Sequence, residues 1–116
     1  MAYQSFEDLE VWKQGCQLAV RVHELLEGCR NFRLVDQMSA CAISIPSNIA
    51  EGAERGSNKE FIRFLHYPKS SAAELRTQLY IAIKLDLIER ELASELVEQT
   101  KVIAARLQAL IKSLKT

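Results

Sequence analysis

Apolar residues recur at steps of three and four along almost the whole chain, and the rhythm breaks at three places only. That is the signature of amphipathic helices separated by short turns. Ser5-Phe6-Glu7-Asp8 sets a hydroxyl three residues before a carboxylate, a capping box that predicts a first helix from Leu9 to about Glu27, with Gly28 as its stop. At about 100° per residue, Leu9, Trp12, Cys16, Ala19, His23 and Leu26 form one stripe along it. Val11, Leu18, Val22 and Leu25 form a second. A helix packed on one side needs an apolar arc of only about 100°, and the two stripes together exceed that. The excess predicts that Val11, Leu18, Val22 and Leu25 meet another copy of the chain; the alternative is a wide core.

Gly28 to Arg33 is a short connection, so the first two helices are antiparallel neighbours. Leu34, Met38, Cys41, Ala42, Ile45 and Ile49 make the stripe of a second helix starting near Leu34. Pro46 lies inside it. Proline cannot donate to the Ala42 carbonyl and its ring crowds that oxygen, so the helix bends or breaks there. The stripe keeps its phase through Ile49, which predicts a kink rather than an end. Ser44, Ser47, Asn48 and Glu51, with Gln37 and Arg55, share an adjoining polar face. These side chains either satisfy groups freed at the proline or form a surface for a partner. Gly52 to Gly56 closes the helix.

Ser57-Asn58-Lys59-Glu60 is a second capping box. It opens a third helix to about Lys84, with Phe61, Phe64, Leu65, Ala72, Leu75, Leu79, Ala82 and Ile83 in its stripe. Pro68 falls within that stripe, whose phase holds from Phe64 through Ala72, so one bent helix is predicted. After a turn from Lys84 to Ile88, a fourth helix takes Glu89 to about Leu114, with Leu92, Leu96, Thr100, Ile103, Leu107, Leu110 and Leu114 facing in. Its glutamates crowd the first half and its cations the second, which complements the helix macrodipole. Four helices of similar length joined by short turns predict one domain over residues 1–116, an all-α, antiparallel up-down-up-down four-helix bundle.

Charge and chemistry narrow the function by exclusion. Lysine and arginine total 15, as do aspartate and glutamate, so no global field draws the chain to nucleic acid or membrane. Cys16, Cys29 and Cys41 are an odd set without zinc spacing, which reads as reduced packing cysteines in the cytoplasm. The first residues lack the basic and apolar regions of a secretory signal, and no apolar run approaches the length needed to span a bilayer. A ferritin-like metal site needs Glu-x-x-His on two helices, and the chain has none. Nucleophile elbow and glycine-rich phosphate loop are likewise missing, so no catalytic residue, metal or cofactor is predicted. His23, on the first stripe, reads as a core or interface histidine. What remains is local. Lys59, Arg63, His66, Lys69, Arg76 and Lys84 fall within about 140° of the third helix with no acid among them. Such a row can track a phosphate backbone, or it is a solvated flank partly paired with glutamates of the fourth helix.

Four blocks resemble a known family. Phe6-Glu7-Asp8-Leu9-Glu10-Val11-Trp12, Ser44-Ile45-Pro46-Ser47-Asn48-Ile49-Ala50-Glu51-Gly52, Lys59-Glu60-Phe61-Ile62-Arg63-Phe64-Leu65 and Ser71-Ala72-Ala73-Glu74-Leu75-Arg76-Thr77-Gln78-Leu79 are similar, in this order, to the small bacterial four-helix-bundle proteins encoded within intervening sequences of large-subunit ribosomal RNA genes. The resemblance implies an antiparallel bundle, assembly into rings that in some members contain five copies, and no assigned activity. It extends to the accessory subunit of diversity-generating retroelements, whose basic surface works with nucleic acid. Pro68-Lys69-Ser70 departs from the family pattern, as does the neutral net charge. The expectation is a non-enzymatic cytoplasmic homo-oligomer serving as an interaction scaffold, or else an accessory factor that binds RNA or nucleoprotein through the third helix.

Overall fold

The computed structural model describes residues 5–115. Its helices are α1 (Glu10–Leu26), α2 (Phe32–Ala53), α3 (Asn58–Lys84) and α4 (Arg90–Leu114), and no strand occurs among the described residues. Sequential helices pack on one another and α1 closes against α4, giving the up-down-up-down bundle. The body measures 45 × 20 × 19 Å, as expected when helices share one long axis.

Caps set the helix boundaries. The Ser5 capping box forms as read, but it closes a separate 3-10 turn, Phe6–Asp8, and α1 starts after it with no side-chain cap at Leu9. α2 begins at Phe32, earlier than the apolar stripe suggested, because Asn31 Oδ1 accepts the Leu34 N–H at 3.2 Å. Ser57 caps α3 at Glu60 N, and Glu89 caps α4 at Leu92 N, 2.7 Å away. Each such cap satisfies an otherwise orphaned amide, worth about 1 kcal/mol.

One core runs the length of the bundle. Leu18, Val22, Met38, Ile45, Ile49, Leu65, Leu75, Leu79, Leu96, Ile103, Leu107 and Ile111 are all fully buried. At about 1.5–3 kcal/mol for each large side chain removed from water, they dominate the stability of the fold.

The core corrects the reading of α1. Val11, Leu18, Val22 and Leu25, expected against a second copy, are 6%, 0%, 0% and 7% exposed within a single chain. Helical spacing shows two adjacent stripes but does not say which one is central. α2 approaches on the side of Gly15, and α4 on the side of Arg21, which pairs with Glu95. The arc between these two contacts is the second stripe. The first stripe becomes a flank: Leu9 and Leu26 are buried, Trp12, Cys16 and Ala19 half-buried, and His23, expected in a core or interface, is exposed.

Both prolines lie buried inside unbroken helices. Small residues let the neighbours close over α2. A Cβ on Gly15 would lie 3.4 Å from the Pro46 ring and 3.3 Å from Ile45 Cγ2. On Gly52 it would lie 2.5 Å from Phe64 Cβ, closer than real side-chain contacts come. The glycine at 52 is therefore a condition for α3 to approach α2 as it does.

Candidate nucleic-acid interface

The six predicted residues of the α3 row do not share one fate. Lys59, His66 and Lys84 are exposed, and Arg76 is half-buried. Lys69 Nζ donates to Gln108 Oε1 of α4 at 2.7 Å. Arg63 pairs with Glu60 at 3.4 Å and lies 5.3 Å from the Phe64 ring centroid. Glu60, and less strongly the Tyr67 phenol, raise the Arg63 guanidinium further above its usual range. Lys59, Arg76 and Lys84 have no carboxylate partner among the described residues. Nor does any cation of this row pair with an α4 glutamate: Glu95 turns to Arg21 of α1 at 3.0 Å, and Glu98 to Lys101 at 3.2 Å.

The row continues onto α4. The Lys69–Gln108 bond fixes the register of the antiparallel pair, so one heptad further along each helix Arg76 comes opposite Lys101. Lys101, Gln108 and Lys115 repeat at heptad spacing on α4, and Lys112 stands one turn beyond Gln108. Read helix by helix, Lys112 and Lys115 only complement a macrodipole; their spacing from Lys101, eleven residues and two heptads, was the available signal for a shared face. Net neutrality conceals this polarity. Residues 58–115 carry ten of the fifteen basic side chains and seven of the fifteen acidic ones, leaving five and eight on the remainder. From Lys59 to Lys84 the row spans about 38 Å at 1.5 Å per residue. Lysines on flexible stems suit phosphates as point charges, and the guanidinium forks of Arg63 and Arg76 match phosphate oxygens as well.

The polar face of α2 splits in two. Ser44 Oγ donates to the Cys41 carbonyl at 2.6 Å and meets Ser71 Oγ of α3 at 2.8 Å. Asn48 Nδ2 donates to the Ser44 carbonyl at 2.8 Å. These bonds take up carbonyls beside Pro46, though not that of Ala42, and they tie α2 to α3. Ser47 and Glu51 instead face solvent, with Glu51 paired to Arg55 at 3.5 Å. Above the seam is a shallow recess of about 430 Å³ lined by Gln37, Ala40, Cys41, Ser44 and Glu74. Burial, aided by the charge of Glu74, pushes the Cys41 thiol up to about 12, so it stays protonated and is a poor nucleophile. Its Sγ donates to the Ser71 carbonyl at 3.2 Å.

On the opposite side, α1 and α4 leave a cleft of about 200 Å³ lined by Gln14, Gln17, Gln99, Val102 and Ile103. The buried amide oxygens of Gln14 and Gln99 have no protein partner, and neither has that of Gln78 on α3. Among the described residues no three of His, Cys, Asp and Glu converge on a metal-sized site, and no helix is long and apolar enough to cross a membrane.

The class these observations define is an antiparallel four-helix bundle with a cationic two-helix face. The family described as 23S rRNA-intervening sequence protein matches residues 7–109, and the chain belongs to it. A solved structure supports the fold. It is that of a protein of unknown function from the S23 ribosomal protein family of Bacteroides thetaiotaomicron VPI-5482, at 1.70 Å resolution. It is 25% identical, with a TM-score of 0.81 over 88% of this chain and 98% of the other. No curated protein matches the chain.

Proposed function

We propose that the protein is a non-enzymatic accessory module of the cytoplasm whose α3–α4 face holds the phosphate backbone of RNA, free or within a nucleoprotein. The observation that carries this reading is the cationic row of α3, which no α4 carboxylate pairs with, continued on α4 by Lys112 and by Lys101, whose partner Glu98 is a solvent-exposed carboxylate. The family description, a protein of an rRNA intervening sequence, is consistent with an RNA partner. The three unpaired cysteines suit a reducing compartment. Contacts of this kind release counterions, so affinity should fall steeply, by orders of magnitude, between about 50 and 200 mM salt. Replacing Lys69 and Lys84 by Glu should remove most of it. RNA binding indifferent to both salt and these substitutions would overturn the reading.

A second reading, a self-associating scaffold, rests on a different surface from the one first expected. Val20 and Ile43 are 58% and 57% exposed on the outer sides of α1 and α2, near the half-buried Cys16 and Ala19. Large apolar side chains left in solvent are the kind of surface a second copy covers. A homo-oligomer, a ring of five included, would cover it. Sedimentation velocity should then show an assembly that Val20→Asp with Ile43→Asp reduces to monomers; a wild-type monomer at micromolar concentration excludes it.

A further inference from the structure

Of two exposed aromatic rings on α3, Tyr80 stands within the cationic row and Tyr67 beside its Arg63 edge, and that bears on the form of nucleic acid the row takes. Tyr67 and Tyr80 are 47% and 49% exposed. Successive i, i+4 positions on α3 give one line of Lys59, Arg63 and Tyr67, and another of Arg76, Tyr80 and Lys84. Each ring therefore stands one helical turn from a cation, and Tyr80 stands between two. Tyr67 is held in place: Phe64 meets it edge to face, with centroids 5.5 Å apart and planes at 77°. Phe64 is itself fixed, buried in the α2–α3 seam with Arg55 stacked 4.4 Å from its centroid. The Glu60 carboxylate that pairs with Arg63 is on the surface, a weak competitor for a phosphate.

Resting on the reading of this face as a phosphate-binding surface, we propose that its ligand is single-stranded nucleic acid, with Tyr67 and Tyr80 stacking on unpaired bases while the adjacent cations hold the backbone. A duplex keeps its bases stacked inside and offers rings on a convex helix nothing to stack upon. An unpaired strand exposes a π-face at every base, whatever its sequence. The two rings lie about 20 Å apart along α3, a span of a few nucleotides of extended strand, and about 140° apart around it, so a strand that reaches both crosses the outer face of the helix obliquely. The residues predict tolerance of sequence, because stacking and point charges read no base edge.

The test is fluorescence anisotropy with a labelled single-stranded RNA of mixed sequence and with its duplex, at two salt concentrations. The expected result is tighter binding of the single strand. Tyr67→Ala and Tyr80→Ala should each weaken it roughly 5- to 150-fold, the range found for lost base–aromatic stacking. The salt dependence should be unchanged and the Phe variants near wild type. Circular dichroism should report an intact bundle in every variant, since both side chains are half in solvent. Equal binding of single strand and duplex, with the Ala variants unaffected, would overturn the stacking proposal and leave the cationic face standing. Failure of the wild-type protein to bind either form would overturn both.

Discussion

The seam between α2 and α3 and the seam between α1 and α4 are built in opposite ways. In the first, Gly52 admits Phe64 to a distance no side chain would allow, and the short polar groups at the contact find partners close by: Ser44 with Ser71, Cys41 with the Ser71 carbonyl, Asn48 with the Ser44 carbonyl. Only the long amide of Gln78, one heptad beyond Ser71, keeps a buried oxygen without a protein partner. In the second, long glutamines stand where the first has glycine and serine. The helices are bridged at the surface by Arg21 and Glu95, and a cleft remains with the amide oxygens of Gln14 and Gln99 unpartnered. Small residues allow backbones to approach, and short polar side chains can then be satisfied across the gap. Long amides hold the helices apart and must find partners at a distance. The difference teaches that satisfaction of polar groups, more than their number, decides whether a polar seam stabilises a bundle.

The arc of α1 between its two neighbours tests both seams at once, because it is the wall they share. Leu18→Ala empties a fully buried site and should cost about 3–5 kcal/mol in urea unfolding. If Leu18 belonged to a contact between copies, the loss would vary with protein concentration; packing inside one chain predicts that it does not. Next in size is Gly52→Ala. The added methyl must displace the Phe64 backbone-proximal carbon, which overpacking data put at about 1–3 kcal/mol or more, against roughly 1 kcal/mol regained in helix propensity. A net loss of about 2 kcal/mol is expected. Gly15→Ala meets its neighbours at 3.3–3.4 Å and should come out near neutral. Equal effects at the two glycines would mean that the α2–α3 seam is no tighter than the contact of α1 with α2.

The fold was legible because its information is periodic. Stripes such as Leu75–Leu79–Ala82 or Leu96–Ile103–Leu107 are one-dimensional records of which side faces in, and capping residues mark where they end. The error on α1 shows where this record stops. A helix with two apolar stripes has a wide buried arc, and the direction of its centre depends on where the neighbours stand, which for α1 is decided by Gly15 and Arg21. The cationic face was half legible for a related reason. Its α3 row lies on one helix, where spacing suffices. Its α4 half requires the register between helices, and that register appears only in the structure, as in the Lys69–Gln108 and Asn58–Leu114 bonds. The Ser5 capping box was identified correctly but attributed to the wrong element, since a box specifies a turn and says nothing of how far it propagates.

The closed seam should also respond to pH. Cys41 titrates at about 12 in the folded chain, against 9.0 for an unperturbed thiol, because burial disfavours the thiolate and Glu74 adds to the effect. A thiol whose folded value is raised contributes stability that is fully present below about pH 9. Above that, the unfolded chain releases its proton while the folded chain retains it, so stability falls as pH rises toward 12. The loss attributable to this group is about 1.4 kcal/mol in all between pH 8 and pH 10, read as the difference between wild type and Cys41→Ala. Parallel curves for the two proteins would show that the seam is more open to water than its geometry indicates.

The smallest effect is the most discriminating, because it should differ in sign between the seams. Ser71→Ala leaves the Ser44 hydroxyl without its cross-helix partner, a loss of about 1 kcal/mol. Gln99→Leu removes an amide whose oxygen is already buried and unpartnered, and puts apolar surface beside Val102 and Ile103 at the edge of the cleft. Losing an unmet hydrogen-bonding group forfeits nothing, and the added apolar contact is favourable, so the variant should be neutral or gain up to about 1 kcal/mol. Chemical denaturation of the two variants beside wild type decides the matter. Should Gln99→Leu lose as much as Ser71→Ala, the glutamines of the cleft are as well satisfied as the serines of the closed seam. The contrast between the two would then be one of distance alone.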